Sequence, residues 1–445
     1  MSYKIKIKEI IKNVIDKNPG ENEFHQTVAE TLNSIKDFVE TEKKYETFAI
    51  LERLTEPDRV ICFRVNWRDD NGNIRVNKGY RVQFNNKLGP YKGGLRFHPN
   101  VNIGIMKFLA FEQTFKNALT GLPLGGAKGG SDFDPKNKSE LEIMSFCQNF
   151  MNELFRYIGP SVDVPAGDIG VGQREIGYLF GQYKKIKNIH DGAITGKSFE
   201  TDGLLGRKEA TGFGLVYFTE EMLRYNSNSL EGKVVCISGS GNVAIYTAQK
   251  AIEYGAKVIT MSDSDGWVFD EQGIDITAIK EIKENKKLRI YEYQKIKPNS
   301  KYFPGRFDWS VKCDVAMPCA TQNEILMQDA INLVKNGCIA VSEGANMPTN
   351  IEATEFLIKS NVLFGPAKAA NAGGVSVSGL EMSQNSSKLK WEFEDVDIKL
   401  KKIMKQIFTT ISTTAEEHEQ RNNYLLGANL SAFSKVSKSM LEQGF

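Results

Sequence analysis

Cysteine and histidine are scarce in this chain of 445 residues. The six cysteines (Cys62, Cys147, Cys236, Cys313, Cys319 and Cys338) are scattered, with no C-x-x-C pair. They read as small buried hydrophobes in a reducing, cytoplasmic compartment rather than as a disulfide framework. The four histidines never stand three or four residues apart, and none sits near a cysteine, so no metal site is expected. No apolar run approaches the roughly 20 residues that span a bilayer, which argues against a membrane protein. The first eight residues alternate lysine with apolar side chains and lack the apolar core of a signal peptide. Excess charge is missing too: 57 basic against 55 acidic residues leave +2. With no basic cluster carrying interleaved aromatics, nucleic acid is not an expected partner. A serine hydrolase is poorly supported, because no G-x-S-x-G stands between a strand and a helix.

The length fits two or three domains at roughly 100–200 residues each. Residues 1–56 read as helical, with Phe24, Val28, Leu32, Ile35 and Val39 forming one apolar stripe. From Val60 to about Phe84 the period switches to two, around the turn Asp70-Asn71-Gly72-Asn73, which predicts two strands. A glycine-rich stretch follows at 89–94, and the spacing predicts a helix over 103–119. In the second half, short β-branched runs alternate with helical segments, the pattern of a parallel α/β sheet. The runs are Lys233–Ser238, Lys257–Ser262, Asp314–Pro318, Cys338–Ser342 and Val362–Gly365. A boundary is expected near residue 200, in the polar stretch Thr195–Gly206. The fold class is therefore α/β with two domains, 1–200 and 201–445, the second of Rossmann type.

The sharpest local motif is Ser238-Gly239-Ser240-Gly241-Asn242-Val243-Ala244, a G-x-G-x-x-A directly after an apolar strand. Gly239 permits a tight turn, Gly241 lets backbone approach a pyrophosphate, and Ala244 allows close helix–strand packing. Asp263 ends the next strand, 263 − 244 = 19 residues beyond Ala244, where an acid can bond the ribose hydroxyls. In the first half, Lys92 stands in Tyr91-Lys92-Gly93-Gly94 and Lys128 in Gly125-Gly126-Ala127-Lys128-Gly129-Gly130. Both segments read as glycine loops whose exposed N–H groups admit a small anion. Gln113 and Lys116 share one helix face. Lysines converging on a pocket would bind a dicarboxylate and depress one another's pKa; the competing reading is a set of solvated surface lysines. Asp168, in Pro165-Ala166-Gly167-Asp168-Ile169-Gly170, is either a carboxyl raised toward the proton-transfer range by small apolar neighbours or a turn-forming aspartate.

Taken together, these elements resemble the hexameric glutamate dehydrogenase family, most closely its NADP-dependent type. The resembling blocks are GPYKGGLRFHP (89–99), KFLAFEQTFKNALTGLPLGGAKGG (107–130), DVPAGDIGVGQREIG (163–177), ATGFGLVYF (210–218), SGSGNVA (238–244), PCATQNE (318–324), EGANMPT (343–349) and KAANAGGVSVSGLEM (368–382). The resemblance implies that Lys128 is the catalytic lysine and that Asp168 shuttles the proton to and from the amino nitrogen. It implies that Lys116 and Gln113 hold the α-carboxylate near the Gly167 backbone, and that Lys92 and Ser378 hold the distal carboxylate. On the cofactor side it implies contacts from Thr211, Gly239, Ser240, Gly241, Asn242, Val243, Asp263 and Ser264, with Asn346 and Asn371 near the nicotinamide. The implied substrates are L-glutamate, 2-oxoglutarate and ammonium, and the implied assembly is a homohexamer. The first domain would bind substrate and assemble the oligomer, and the C-terminal helix, about 425–445, would fold back on it. Asp263 argues for NAD by repelling a 2′-phosphate, whereas Ser262-Asp263-Ser264 resembles the NADP type, with Lys286 or Lys287 as the cation. NADP is the expected cofactor and NAD the alternative. The rival readings are a sister amino-acid dehydrogenase, which the lysine at 92 argues against, and a catalytically dead homologue, which would lack Lys128 or Asp168.

Overall fold

The structure is a computed structural model that describes residues 7–40 and 42–445; the lysine-alternating start, residues 1–6, lies outside them. The chain forms two compact units. The first comprises Met1–Leu205, Val377–Phe393 and Asn429–Phe445; the second comprises Gly206–Ser376 and Glu394–Ala428. Two late segments thus belong to the first unit, so neither unit is one continuous span.

The first unit is built on a five-stranded sheet. Its strands are β1 (Arg59–Arg68), β2 (Ile74–Asn85), β3 (Tyr91–Phe97), β4 (Gly126–Ser131) and β5 (Asp163–Gly167), in the order β1-β2-β4-β3-β5. β1 and β2 are the antiparallel pair that the period of two predicts. β3 runs parallel to both β4 and β5. Here the sequence reading needs correction, because the glycine segments around Lys92 and Lys128 are inner strands, not loops. Glycine is there for close approach. A Cβ on Gly94 would lie 2.8 Å from the Gly167 carbonyl oxygen, and one on Gly129 would lie 2.6 Å from that of Tyr80.

One face of this sheet turns Leu95 and Phe97 toward a core with Phe146, Phe150 and Leu154 of the helix Glu140–Leu154, and Leu179 and Phe180 of the helix Gln173–Lys187. Ser139 and Glu142 cap the former reciprocally. The opposite face turns Val82 and Phe84 toward the helix Ile103–Leu119, where Phe84 and Phe111 meet edge to face at 5.5 Å. Each such buried large apolar side chain contributes about 1.5–3 kcal/mol. That helix has the span that its spacing predicts, and Asn102 caps it by accepting from the Ile105 amide.

The second unit carries a seven-stranded sheet ordered β12-β11-β10-β6-β7-β8-β9. The strands are β6 (Val234–Ile237), β7 (Lys257–Ser262), β8 (Gly266–Phe269), β9 (Lys301–Pro304), β10 (Val315–Met317), β11 (Ala340–Ser342) and β12 (Leu363–Gly365). Each β-branched run forms one of five parallel strands. β8 and β9 extend the sheet antiparallel. These two four-residue strands are too short to show a period, and Trp267 stacked on Phe303 at 4.4 Å ties them together. β6 has β7 on one side and β10 on the other, so strand order reverses beside it. That is where a doubly wound sheet opens a crevice for a ligand.

Candidate active site and dinucleotide cradle

In the first unit, strand register puts the chemistry on one sheet face. Lys92 pairs with Val164, Gly94 with Ala166, and Leu95 with both Gly167 and Gly129. Period two then turns Lys92, Gly94 and Arg96 to the same side. Lys128, one residue before Gly129, joins them from β4, and Asp168 joins them just past β5. The Asp168 carboxylate bridges two cations: Arg96 Nε lies 2.8 Å from Oδ2, and Lys128 Nζ lies 3.3 Å from Oδ1. Asp168 is held from behind by backbone bonds in both directions with Val171. A Cβ on Gly94 would also stand 2.9 Å from the Asp168 Cβ, so only glycine leaves the carboxylate its place.

The charges follow from this packing. Burial pushes the Lys128 ammonium below the ordinary lysine range, and Arg96 and Arg81 push the same way, against the pull of Asp168. The depression therefore comes from burial and arginines rather than from the other lysines. Burial alone would raise Asp168, but Lys128 and Arg96 outweigh it and hold the carboxyl below its ordinary range. The expected upward shift is thus reversed, because the sequence around Asp168 does not reveal the two cations that fold onto it.

Lys92 is 1% exposed, and its Nζ donates to the Val164 carbonyl at 3.0 Å and to Thr195 Oγ1 at 2.9 Å. Gln113 and Lys116 are half-buried on the helix Ile103–Leu119. Asn117, one turn beyond Gln113 and bonded to it at 2.7 Å, donates to the Lys92 carbonyl and ties that helix to β3. Ser378 is buried in the helix Gly373–Ser387, where the next residue, Gly379, packs against Leu122 and Leu124 just ahead of β4.

Sequence reading missed three residues at this site. Arg96 carries the period-two signal with Lys92, visible once the segment is read as a strand. Thr195 looked like linker. Arg81 alternates with the apolar Tyr80 and Val82 and so reads as a polar-side residue, yet it is fully buried, paired with Asp163 through Nε and a second guanidinium nitrogen, and donates to the Gly93 carbonyl. Removing one partner of such a pair costs about 3–5 kcal/mol.

In the second unit, Gly239 turns at φ +84°, and the helix Asn242–Glu253 begins right after Gly241. Ser240 and Ala244 are buried, Gly241 and Asn242 are exposed, and Val243 is intermediate. A Cβ on Gly241 would meet nothing within 4 Å, so open space lies over the helix N-terminus, where N–H groups attract phosphate. Ser262 Oγ accepts from the Gly239 amide at 2.7 Å and braces the turn. Thr211 lies against Gly374, whose Cβ would be 2.6 Å from its hydroxyl. Asn371 donates to Asn346 Oδ1 at 3.0 Å and to the Gly344 and Ala345 carbonyls, drawing the loops after β11 and β12 together.

The Asp263 carboxylate is occupied. It accepts from Lys283 Nζ at 3.0 Å and from the amides of Ile290 and Asp265. Burial would raise it, but these donors hold it below the ordinary range. Ser264 Oγ accepts from Arg289 at 2.7 Å. The cations bonded to this segment are Lys283 and Arg289, the latter also 3.1 Å from Asp265, whereas Lys286 pairs with Glu281 at 3.4 Å.

The first unit thus holds a lysine–aspartate pair on an inner sheet face, and the second a braced G-x-G-x-x-A turn. Comparison with known proteins decides the family. Residues 203–444 match the Glutamate/Leucine/Phenylalanine/Valine dehydrogenase model, and residues 57–185 match the Glu/Leu/Phe/Val dehydrogenase dimerisation domain. The chain belongs to this dehydrogenase family. Among the family's curated members, the NADP-specific glutamate dehydrogenase of Helicobacter pylori is 56% identical, covering 98% of this chain and 99% of its own. The NAD-specific glutamate dehydrogenase of Porphyromonas gingivalis is 51% identical, covering 99% and 100%. Among solved members, the glutamate dehydrogenase of Plasmodium falciparum superposes with a TM-score of 0.97 at 51% identity, covering 99% of this chain and 94% of its own.

Proposed function

We propose that this protein is a glutamate dehydrogenase that interconverts L-glutamate with 2-oxoglutarate and ammonium, using NADP, with NAD as the alternative. The observation that carries this reading is Lys92: a fully buried lysine on the sheet face that also holds the Lys128–Asp168 pair. A buried ammonium there calls for a second carboxylate on the substrate, which leucine, phenylalanine and valine lack. In this reading Lys92 and Ser378 hold the distal carboxylate, Lys116 and Gln113 hold the α-carboxylate, and the Gly167 backbone borders the α-carbon. Lys128 polarises the 2-oxo group and exchanges a proton with the oxygen as water leaves; burial lowers its pKa in the direction that helps this exchange. Asp168 stays ionised between Arg96 and Lys128 and takes a proton from the incoming ammonium.

The cofactor residues fit a dinucleotide. The open space over Gly241 and the helix N-terminus would take the pyrophosphate beside Ser240, Asn242 and Val243. Thr211, Asn346 and Asn371 would lie along the nicotinamide half. Lys283 offsets Asp263, and Arg289, bonded to Ser264, offsets Asp265 at 3.1 Å, so the charges at the ribose end balance and leave room for a 2′-phosphate. Bound NADPH supplies the reducing equivalent. The six cysteines are free, five of them buried and Cys62 exposed against the sequence expectation.

The test is loss of reduced-nicotinamide absorbance with 2-oxoglutarate and ammonium, run in parallel with NADPH and NADH. Turnover needing both substrates, with higher kcat/KM for NADPH, is expected. Equal or better use of NADH would overturn the cofactor assignment, and turnover of 2-oxoisocaproate in preference to 2-oxoglutarate would move the reading to a sister enzyme.

A further inference from the structure

A second ion pair lies in the first unit with no part in the chemistry above. The Lys197 and Glu381 side chains are 1% and 0% exposed, with Nζ 2.8 Å from Oε1. Every polar atom of the pair is used. The Lys197 ammonium also donates to the Ile194 carbonyl at 2.6 Å and to Asn385 Oδ1 at 2.7 Å. Glu381 also accepts from the Gly196 amide at 2.9 Å on its other oxygen and from the Lys197 amide at 3.4 Å. Asn385 returns a bond to the Asp202 carbonyl at 2.8 Å, and Gln384 donates to the Gly203 carbonyl at 3.3 Å.

The two segments joined in this way are the ones that carry the distal-carboxylate residues. Residues 194–197 include Thr195, which accepts from Lys92 Nζ and donates its own amide to the Pro165 carbonyl. The helix Gly373–Ser387 includes Ser378, one turn before Glu381 and on the same helix side. A continuous path therefore runs from Lys92 through Thr195 and Gly196 to Glu381 and up one helical turn to Ser378. Stability alone does not call for charge here, because a packed apolar pair of similar volume is often as stable as a buried ion pair or more so. What the ion pair adds is direction: its bonds are satisfied in one register of segment against helix.

We propose that the Lys197–Glu381 pair is a positioning device that sets the separation of Lys92 and Ser378 and so determines the preference for a 2-oxo dicarboxylate over a 2-oxo monocarboxylate. The proposal rests on the glutamate reading of this site. Neither residue touches substrate in this account; both act through Thr195 and Ser378.

The test uses the full-length enzyme with NADPH and ammonium. Glu381→Gln, Asn385→Leu and the charge-free double variant Lys197→Met/Glu381→Leu are compared with the parent. Each is assayed with 2-oxoglutarate and with 2-oxovalerate, which has no distal carboxylate. 2-Oxovalerate is also read as a competitive inhibitor, so its affinity is measured even where turnover is slow. Thermal unfolding is followed in parallel. Glu381→Gln is expected to raise the KM for 2-oxoglutarate at least tenfold with little change in kcat, while the 2-oxovalerate constants move less than threefold. Asn385→Leu is expected to do the same more weakly. The double variant leaves no lone buried charge but strands the Ile194 carbonyl and the Gly196 amide, so it is expected to unfold below the parent temperature and, while folded, to show the same lost preference. Equal losses for both substrates, or an unchanged preference in the folded double variant, would overturn the positioning role. A parent enzyme inactive on 2-oxoglutarate would instead remove the glutamate reading itself, and this proposal with it.

Discussion

Lys128 and Asp168 each take their charge state from the other and from Arg96, so their roles separate only when one is neutralised. Asp168→Asn keeps the side-chain shape but leaves Arg96 and Lys128 without their shared anion, so some loss of stability is expected, and removal of the proposed proton acceptor is expected to slow turnover by roughly 10²–10⁴. Asp168 is the anion that pulls the Lys128 pKa upward against burial. Its removal is therefore expected to drop that pKa further, and the midpoint of Lys128 acetylation against pH should move down. A midpoint that stayed put or rose would show that burial and the arginines do not govern Lys128. Lys92 is a simpler case: Lys92→Leu removes the buried charge that a distal carboxylate requires. 2-Oxoglutarate turnover is expected to collapse, while shorter or apolar 2-oxo acids lose far less. Unchanged glutamate turnover would end the distal-carboxylate assignment.

At the scale of elements, the unusual feature is a sheet whose inner strands are rich in glycine. Period-two hydrophobicity marks β1 and β2, and β-branched runs mark the five parallel strands of the second unit, so these were legible. In β3 the signal is confined to Leu95, Arg96 and Phe97, and in β4 glycine leaves almost none, because close approach of backbones replaces side-chain packing. A methyl on Gly94 would press on the Gly167 carbonyl at 2.8 Å and on the Asp168 Cβ at 2.9 Å. Gly94→Ala is thus expected to cost about 1–3 kcal/mol in overpacking. It should also cut kcat beyond what the loss of stability explains, because the displaced group is the proposed proton acceptor, Asp168. A variant with lower stability and full kcat would show that the strand absorbs the methyl elsewhere. In the second unit the G-x-G-x-x-A turn was legible because its glycines answer local demands: a positive φ at Gly239 and open space at Gly241.

For the whole molecule, the proposed function divides substrate residues and dinucleotide residues between the two units, and the division into units does not follow the chain. Val377–Phe393, which carries Ser378 and Glu381, belongs with the first unit although it lies deep in the second half of the sequence. The proposed homohexamer is checked by light scattering after size exclusion, where a mass six times that of the chain is expected. A monomer with full activity would detach assembly from function. Sequence by itself determined the α/β class, the turn beside Gly239 and the identity of the lysines, because each rests on local pattern or on residue type. Tertiary structure alone decided that Arg96 and Lys128 converge on Asp168, that Lys283 offsets Asp263, and that Lys197 meets Glu381 across 184 positions. Charge state and pocket shape depend on distances through space, and a chain's order does not carry those distances until it folds.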